Sequence, residues 1–274
     1  MPAAVVPVAV GAAAAVGEPG DLVAWRVVAA LIVSLALQVG VNYANDYSDG
    51  VRGTDDVRVG PTRLVASGLA SPSSVKRAAL LAFGVAAVAG LAIALATSLW
   101  LLVVGAAAIA AGWFYTGGPR PYGYLGLGEV FVFVFFGLVA TAGTTFAAIE
   151  SVTALSLVVG SAVGSLACAL LVINNLRDIP TDREVGKRTL AVRLGDGRTR
   201  WFYALLVVAA FALTAVAAAW RVPVLLGFAA LPFAVGPVRS VLGGAGGPAL
   251  IPVLGATGRL QLIWGVLVTV GLSI

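Results

Sequence analysis

Two short stretches of this chain hold the residue types best suited to chemistry. Asn42-Tyr-Ala-Asn-Asp46-Tyr-Ser-Asp49 and Asn174-Asn-Leu-Arg-Asp178-Ile-Pro-Thr-Asp182 each set an Asn four residues before an Asp, with a second Asp three or four residues later. At about 100° per residue, positions i, i+4 and i+7 or i+8 share one helix face. Two such faces brought together make a cage of carboxylate and amide oxygens. Oxygen ligands of this kind hold Mg²⁺, and Mg²⁺ held by few protein ligands also holds substrate phosphates. Acids at one helix end often do no more than solvate an interface. The recurrence of the Asn-x₃-Asp spacing, each time before a loop of mixed acids and bases, argues for a site.

The elements that position these motifs follow from composition. The 274 residues are 60% hydrophobic and 11% charged, with mean hydropathy +1.03. Soluble domains carry about 25% charged residues, so the chain is expected to be an integral membrane protein. Apolar runs near the length of a membrane crossing fall at roughly 2–17, 22–45, 75–97, 98–116, 127–149, 152–176, 199–219, 222–241 and 250–272. The expected fold is all-α, one domain over 1–274, with nine transmembrane helices around a central cavity. Ala12 to Ala15 resemble a signal-peptidase site, but no basic segment precedes them and Pro2 and Pro7 interrupt the run, so a retained first helix is expected.

Charge placement orients the bundle. Of the 17 Lys and Arg residues, only Arg26 and Arg221 fall on the side opposite the two motifs. The positive-inside asymmetry therefore puts both motifs on the cytoplasmic side. The long loops expected there, 46–74 and 177–200, mix Asp49, Asp55, Asp56, Asp182 and Glu184 with Arg52, Arg58, Arg63, Lys187, Arg188 and Arg193. Topology accounts for the sequence pI of 9.8, and no basic aromatic module points to nucleic acid. The motifs close helices 2 and 6, which resembles a duplicated four-helix unit with its site at the repeat interface. Pro180 threatens to end helix 6 before Asp182 joins the face of Asn174 and Asp178.

The chain has no His and a single Cys, Cys168. His relays, His/Cys zinc sites, His-ligated haem and disulfides are thereby excluded. Two Asp-bound Mg²⁺ ions bridging a diphosphate, with Arg and Lys on its remaining oxygens, fit what is left. The carbon tail of an allylic polyprenyl diphosphate would lie among the apolar helices. Loss of diphosphate leaves an allylic cation, for which Tyr43, Trp113, Tyr115, Phe131, Phe133 and Phe135 are candidate partners. A cation transporter, the rival reading, would place ionisable groups near the bilayer midplane rather than at one mouth.

These residues carry a family resemblance. The stretches at 42–56, 60–65, 113–129, 134–140 and 174–195 resemble the UbiA superfamily of intramembrane prenyltransferases, and within it the 1,4-dihydroxy-2-naphthoate polyprenyltransferases of bacterial cell membranes. The resemblance implies polyprenyl transfer to dihydroxynaphthoate with loss of CO₂, in menaquinone synthesis; 4-hydroxybenzoate is an alternative acceptor. It implies metal binding by Asn42, Asp46 and Asp49 and by Asn174, Asp178 and Asp182, the four Asp being catalytic. Arg58, Arg63, Arg120, Lys187 and Arg188 are the implied diphosphate partners, and Tyr115, Tyr122 and Tyr124 lie where it places the aromatic substrate. Family members carry a basic segment before the first helix. Here the first base is Arg26, so either a longer N-terminus or another base is expected in that role.

Overall fold

The computed structural model describes residues 2–54 and 62–274, and all regular structure among them is helical. The main helices are α1 (Pro2–Ala15), α2 (Ala24–Arg52), α3 (Pro72–Ala96), α4 (Trp100–Phe114), α5 (Gly128–Ile149), α6 (Ala154–Glu184), α7 (Asp196–Ala217), α8 (Val222–Leu242) and α9 (Gly247–Ser273). Seven of these, all but α1 and α4, are long and apolar enough to cross a membrane. The apolar α1 and α4 are shorter, at 14 and 15 residues.

The largest correction concerns where helices end. Helix α2 continues to Arg52 and α6 to Glu184, so both motifs are wholly helical, as their shared-face spacing requires, and the loops begin later than 46 and 177. Pro180 does not end α6. It removes one backbone donor near the helix end, while Asp178 and Asp182 stay one turn apart on the same face. Gly53 stops α2 in the left-handed conformation at φ 70°, where its amide reaches back to the last turn. The second expected loop shrinks to 185–189 plus a five-residue helix, Leu190–Leu194, that Thr189 caps.

Helix α6 is the axis of the core. Its apolar positions, among them Leu155, Val163, Leu166 and Ile173, pack with Val10 of α1, Tyr203 and Val207 of α7, and Leu260 and Trp264 of α9. Several buried polar groups there pair with one another, which suits a hydrocarbon surround: the Tyr203 hydroxyl meets Thr257 at 2.8 Å and Trp264 donates to Thr214 at 3.1 Å. Thr153 and Ser156 form a reciprocal cap at the start of α6. Helix α5 contains a π-helical stretch, Phe133–Val139, and crosses α6 at very short range. A Cβ on Gly137 would stand 2.6 Å from the Gly164 Cα, so small residues at 137, 160 and 164 permit the approach.

The two minority arginines explain themselves in structure. Arg26, at the start of α2, pairs with Glu150 at 2.7 Å and donates to the Ala96 carbonyl at 2.8 Å, joining the ends of α3 and α5. Arg221 donates to carbonyls of Ala13, Val16 and Leu272, at the ends of α1 and α9. Helix C-termini carry partial negative charge, so each arginine ties together ends that would otherwise repel.

Candidate active site

A cavity of about 460 Å³ lies between α2 and α6 and is walled on its other sides by α1, α3, α4 and α5. Along α2 it is lined from Ala30 to Asp49, a rise of about 28 Å at 1.5 Å per residue. Its far reach is apolar, with Ala30, Val33, Leu101, Val104 and Ala147 on the wall. Its near end collects Asn42, Asn45 and Asp49 from α2 and Asn174, Asn175, Asp178 and Asp182 from α6. The charged groups are confined to one mouth, with only the neutral Gln38, Ser34 and Thr144 among the polar side chains of the deeper wall.

The carboxylates there are held in different ways. Asp49 accepts from the Tyr124 hydroxyl at 2.5 Å and faces the Lys187 ammonium at 3.4 Å. Lys187 in turn stands 4.7 Å from the Tyr124 ring, so an acid, a phenol and a base form one cluster. Arg177, itself buried, grips Asp178 with two bonds of 2.6 and 2.8 Å. Asp182 meets the Thr189 hydroxyl at 3.5 Å, and its backbone carbonyl accepts from the Lys187 amide at 2.8 Å. The tight turn after α6 thus brings Lys187 over the cavity.

Asp46 has a different place. Both its oxygens accept backbone amides, Leu64 at 2.9 Å and Val65 at 3.0 Å, and it does not line the cavity. It clamps the loop that carries Arg63 to the cavity wall. One residue off the expected face, Asn45 lines the cavity and accepts from Thr116 at 2.9 Å. At about 100° per residue Asn45 and Asp46 flank the Asn42–Asp49 face on opposite sides. It is the Asn45 flank that lines the cavity, while Asp46 is turned to the Leu64 and Val65 amides. The full cage of the sequence pattern is therefore not formed. Among the described residues, no three acidic side chains converge closely enough to hold an ion by themselves.

Of the expected diphosphate partners, Arg63 and Lys187 reach the cavity. Arg120 does not: it is exposed, sent outward by the turn at Gly118 (φ 75°) between two prolines. Arg188 is exposed as well and lines a second cleft with Arg183 and Arg193, which Lys187 borders from the other side. Arg58 lies outside the described residues. Arg52, not expected at the site, donates to the Thr116 and Gly118 carbonyls and fixes the loop after α4.

The aromatic wall is built by that loop and α5. Tyr115 meets Tyr122 edge-on at 5.5 Å, Tyr122 stacks on Phe131 at 3.9 Å, and Phe131 stands 6.1 Å from Phe135. All four line the cavity just below the polar mouth. Tyr122 is locked by its bond to the Ala111 carbonyl at 2.8 Å. Burial first, then nearby acids beginning with Glu129, pushes the Tyr115 phenol above its ordinary value. Burial does the same to Tyr122, and burial followed by Asp49 to Tyr124. All three are neutral hydrogen-bond donors near neutral pH. Tyr43, Trp113 and Phe133 do not line the cavity: Tyr43 and Trp113 pack beside the Ala44–Phe83 cluster, and Phe133 packs on Gly164.

A helical bundle with one elongated apolar cavity, and with acids, amides and bases gathered at a single mouth, defines a membrane protein built to hold an amphiphile by its charged head. The chain belongs to the UbiA prenyltransferase family, whose pattern it matches over residues 4–247. It is 50% identical to the 1,4-dihydroxy-2-naphthoate octaprenyltransferase of Mycobacterium tuberculosis, over 100% of this chain and 93% of that one. It is 36% identical to the enzyme of the same name from Escherichia coli, over 89% of this chain and 82% of the relative. The fold is that of a UbiA homolog from Aeropyrum pernix K1, with TM-score 0.71 and 17% identity over 98% of this chain and 97% of that one. A UbiA homolog from Archaeoglobus fulgidus bound to DMAPP and Mg²⁺ superposes with TM-score 0.59 and 16% identity, over 98% of this chain and 96% of that one.

Proposed function

We propose that this chain transfers a polyprenyl group from its diphosphate to 1,4-dihydroxy-2-naphthoate, releasing diphosphate and CO₂ and giving demethylmenaquinol for menaquinone synthesis. The observation that carries the reading is the cavity itself: both Asn/Asp motifs at one mouth, an aromatic wall beneath them, and a long apolar reach behind. The 50% identity over the whole chain supports the naphthoate as acceptor. In this reading α1 and α4 cross the membrane with the seven longer helices, and the mouth opens to the cytoplasm.

The donor set fits Mg²⁺, since every group offered at the mouth is an oxygen ligand and neither sulfur nor imidazole is near. Asn45, Asp49, Asp178 and Asp182, with Asn42 and Asn174 beside them, are the residues that would hold two ions. Among the described residues too few acids converge to bind an ion unaided, which suits a metal that arrives with the diphosphate and keeps water ligands. Bound Mg²⁺ supplies charge neutralisation to the departing diphosphate.

The chain's own groups do the rest. Lys187 and Arg63 donate to diphosphate oxygens, and Tyr124 and Arg177 hold Asp49 and Asp178 in place. Breaking the C1–O bond sends its electron pair to diphosphate and leaves an allylic cation against Tyr122, Phe131 and Phe135, whose π faces stabilise positive charge. The ring carbon bearing the carboxylate attacks C1. Departure of CO₂ then returns an electron pair to the ring, so no strong base is needed at that carbon. The absence of His from the whole chain agrees with this.

The test is an acceptor panel. Protein in lipid nanodiscs is given Mg²⁺ and a polyprenyl diphosphate with dihydroxynaphthoate or 4-hydroxybenzoate, and products are read by mass spectrometry. Prenylated naphthoquinol is the expected product; prenylated hydroxybenzoate alone overturns the acceptor assignment.

A further inference from the structure

Behind the site stands one acid to which the sequence reading gives no role. Glu129 enters at the first turn of α5, is 5% exposed, and stands behind the cavity wall rather than on it. Its Oε1 accepts from Asn175 Nδ2 at 2.9 Å, whereas its Oε2 is buried without a partner. The backbone at the same residue is also pinned, because the Cys168 thiol donates to the Glu129 carbonyl at 3.1 Å. A buried acid with one oxygen unsatisfied is costly in an apolar surround, and where a fold retains one its function is the first place to look.

What Glu129 controls is the orientation of Asn175. An Asn amide has an oxygen end and a nitrogen end of nearly equal size, and its hydrogen-bond partner decides which way it faces. A carboxylate accepts only, so it turns the NH₂ toward itself and leaves the carbonyl oxygen to face elsewhere. Asn175 lines the cavity, one turn deeper than Asp178 and on the side of the Tyr115–Tyr122–Phe131 wall. A Cβ on Gly128 would stand 3.4 Å from the Tyr115 hydroxyl, so that phenol, Glu129 and Asn175 occupy one corner. A flat ring laid on the aromatic wall would find there an amide acceptor whose direction is fixed.

We infer that Glu129 is a positioning residue that fixes the Asn175 amide so that its carbonyl oxygen accepts a hydroxyl of the aromatic acceptor. This rests on the prenyltransferase reading above. It separates two duties along α6: Asp178 and Asp182 serve the diphosphate end, and Asn175 serves the hydroxyaromatic ring.

The experiment measures KM for each substrate separately in the Glu129→Gln protein. Gln has the same shape but can donate its own amide to the Asn175 oxygen, which releases the orientation. The KM for dihydroxynaphthoate should rise about tenfold or more, the loss of one good buried hydrogen bond, while the KM for polyprenyl diphosphate stays within about twofold. Adding Glu129→Gln to Asn175→Ala should raise the acceptor KM no further than Asn175→Ala alone. A second arm needs no Glu129 variant. Two hydroxynaphthoate mono-methyl ethers, blocked in turn at each oxygen, are compared with the free diol as competitive inhibitors. Wild type should discriminate against one ether by about tenfold, and Asn175→Ala should lose that discrimination. Equal changes in both KM values, additive single effects, or equal inhibition by diol and both ethers overturn the inference. Wild-type protein that makes no prenylated product overturns the parent reading instead, and this inference with it.

Discussion

Replacing Lys187 by Ala is the perturbation whose consequence follows most directly from the geometry. The Lys187 ammonium is 3.4 Å from Asp49 and 4.7 Å from the Tyr124 ring, with its side chain only 10% exposed. Its removal has two effects. The diphosphate loses a charge-assisted donor worth about 1.5–3 kcal/mol, which corresponds to a ten- to hundredfold rise in KM at about 1.4 kcal/mol per decade. Asp49 loses its nearby cation yet keeps the Tyr124 hydroxyl at 2.5 Å, so the acid stays in position. The KM for polyprenyl diphosphate should therefore rise about ten- to hundredfold, with kcat reduced severalfold at most and the KM of the aromatic acceptor unmoved. Initial rates in nanodiscs at saturating Mg²⁺, with each substrate varied in turn, give these numbers. A diphosphate KM within about twofold of wild type, with kcat collapsed, would refute the assignment of Lys187 to ground-state diphosphate binding.

Asp49→Ala and Asp178→Ala should abolish turnover while the protein remains folded in detergent; full activity in either removes the metal argument. Asp46→Ala acts by another route, freeing the Leu64 and Val65 amides. It should destabilise the protein by about 1–3 kcal/mol and lower activity without changing the Mg²⁺ concentration for half-maximal rate, and a shifted Mg²⁺ dependence would put Asp46 among the ligands. Tyr124, raised by burial and then by Asp49, is neutral in the folded state. Its contribution to stability is complete below the ordinary phenol value of about 10 and is lost as pH climbs past that toward the folded value. Thermal melts above pH 10 should accordingly fall less steeply in Tyr124→Phe than in wild type, and identical slopes would count against it. Gly137→Ala places a methyl 2.6 Å from the Gly164 backbone, so a loss of about 1–3 kcal/mol is expected from overpacking, read as a lowered melting temperature; an unchanged melt would mean that α5 and α6 are free to separate.

The membrane character, the all-helical fold and the two motifs were legible in the sequence because composition, run length and spacing are local properties. Helix ends were not. Polar residues from Asp46 to Arg52 and from Arg177 to Glu184 look like loop, yet they continue their helices: Asp49, Asp178 and Asp182 line a polar mouth, while Asp46 and Arg52 hold the neighbouring loops. The spacing sets Asp46 on the same helix face as Asn42 and Asp49. That its oxygens are taken by the Leu64 and Val65 amides, and that Asn45 lines the cavity, depends on how the following loop folds back. Arg120 shows a second limit: a base in a Gly- and Pro-rich turn points wherever the turn sends it, and charge alone does not reveal the direction. Glu129 did carry a signal, being an acid at the head of an apolar helix. Its partner Asn175 lies 46 residues away, and only the packing of α5 on α6 brings the two together.

The central claim is tested most directly by following the carboxylate of the acceptor. Membranes containing the protein are given a polyprenyl diphosphate and carboxyl-labelled 1,4-dihydroxy-2-naphthoate, with Mg²⁺ present or chelated. Labelled CO₂ released in step with a prenylated naphthoquinol, only when Mg²⁺ and the diphosphate are both present, is the predicted result. Product that retains the labelled carboxylate, or transfer that proceeds at full rate under chelation, would contradict the account.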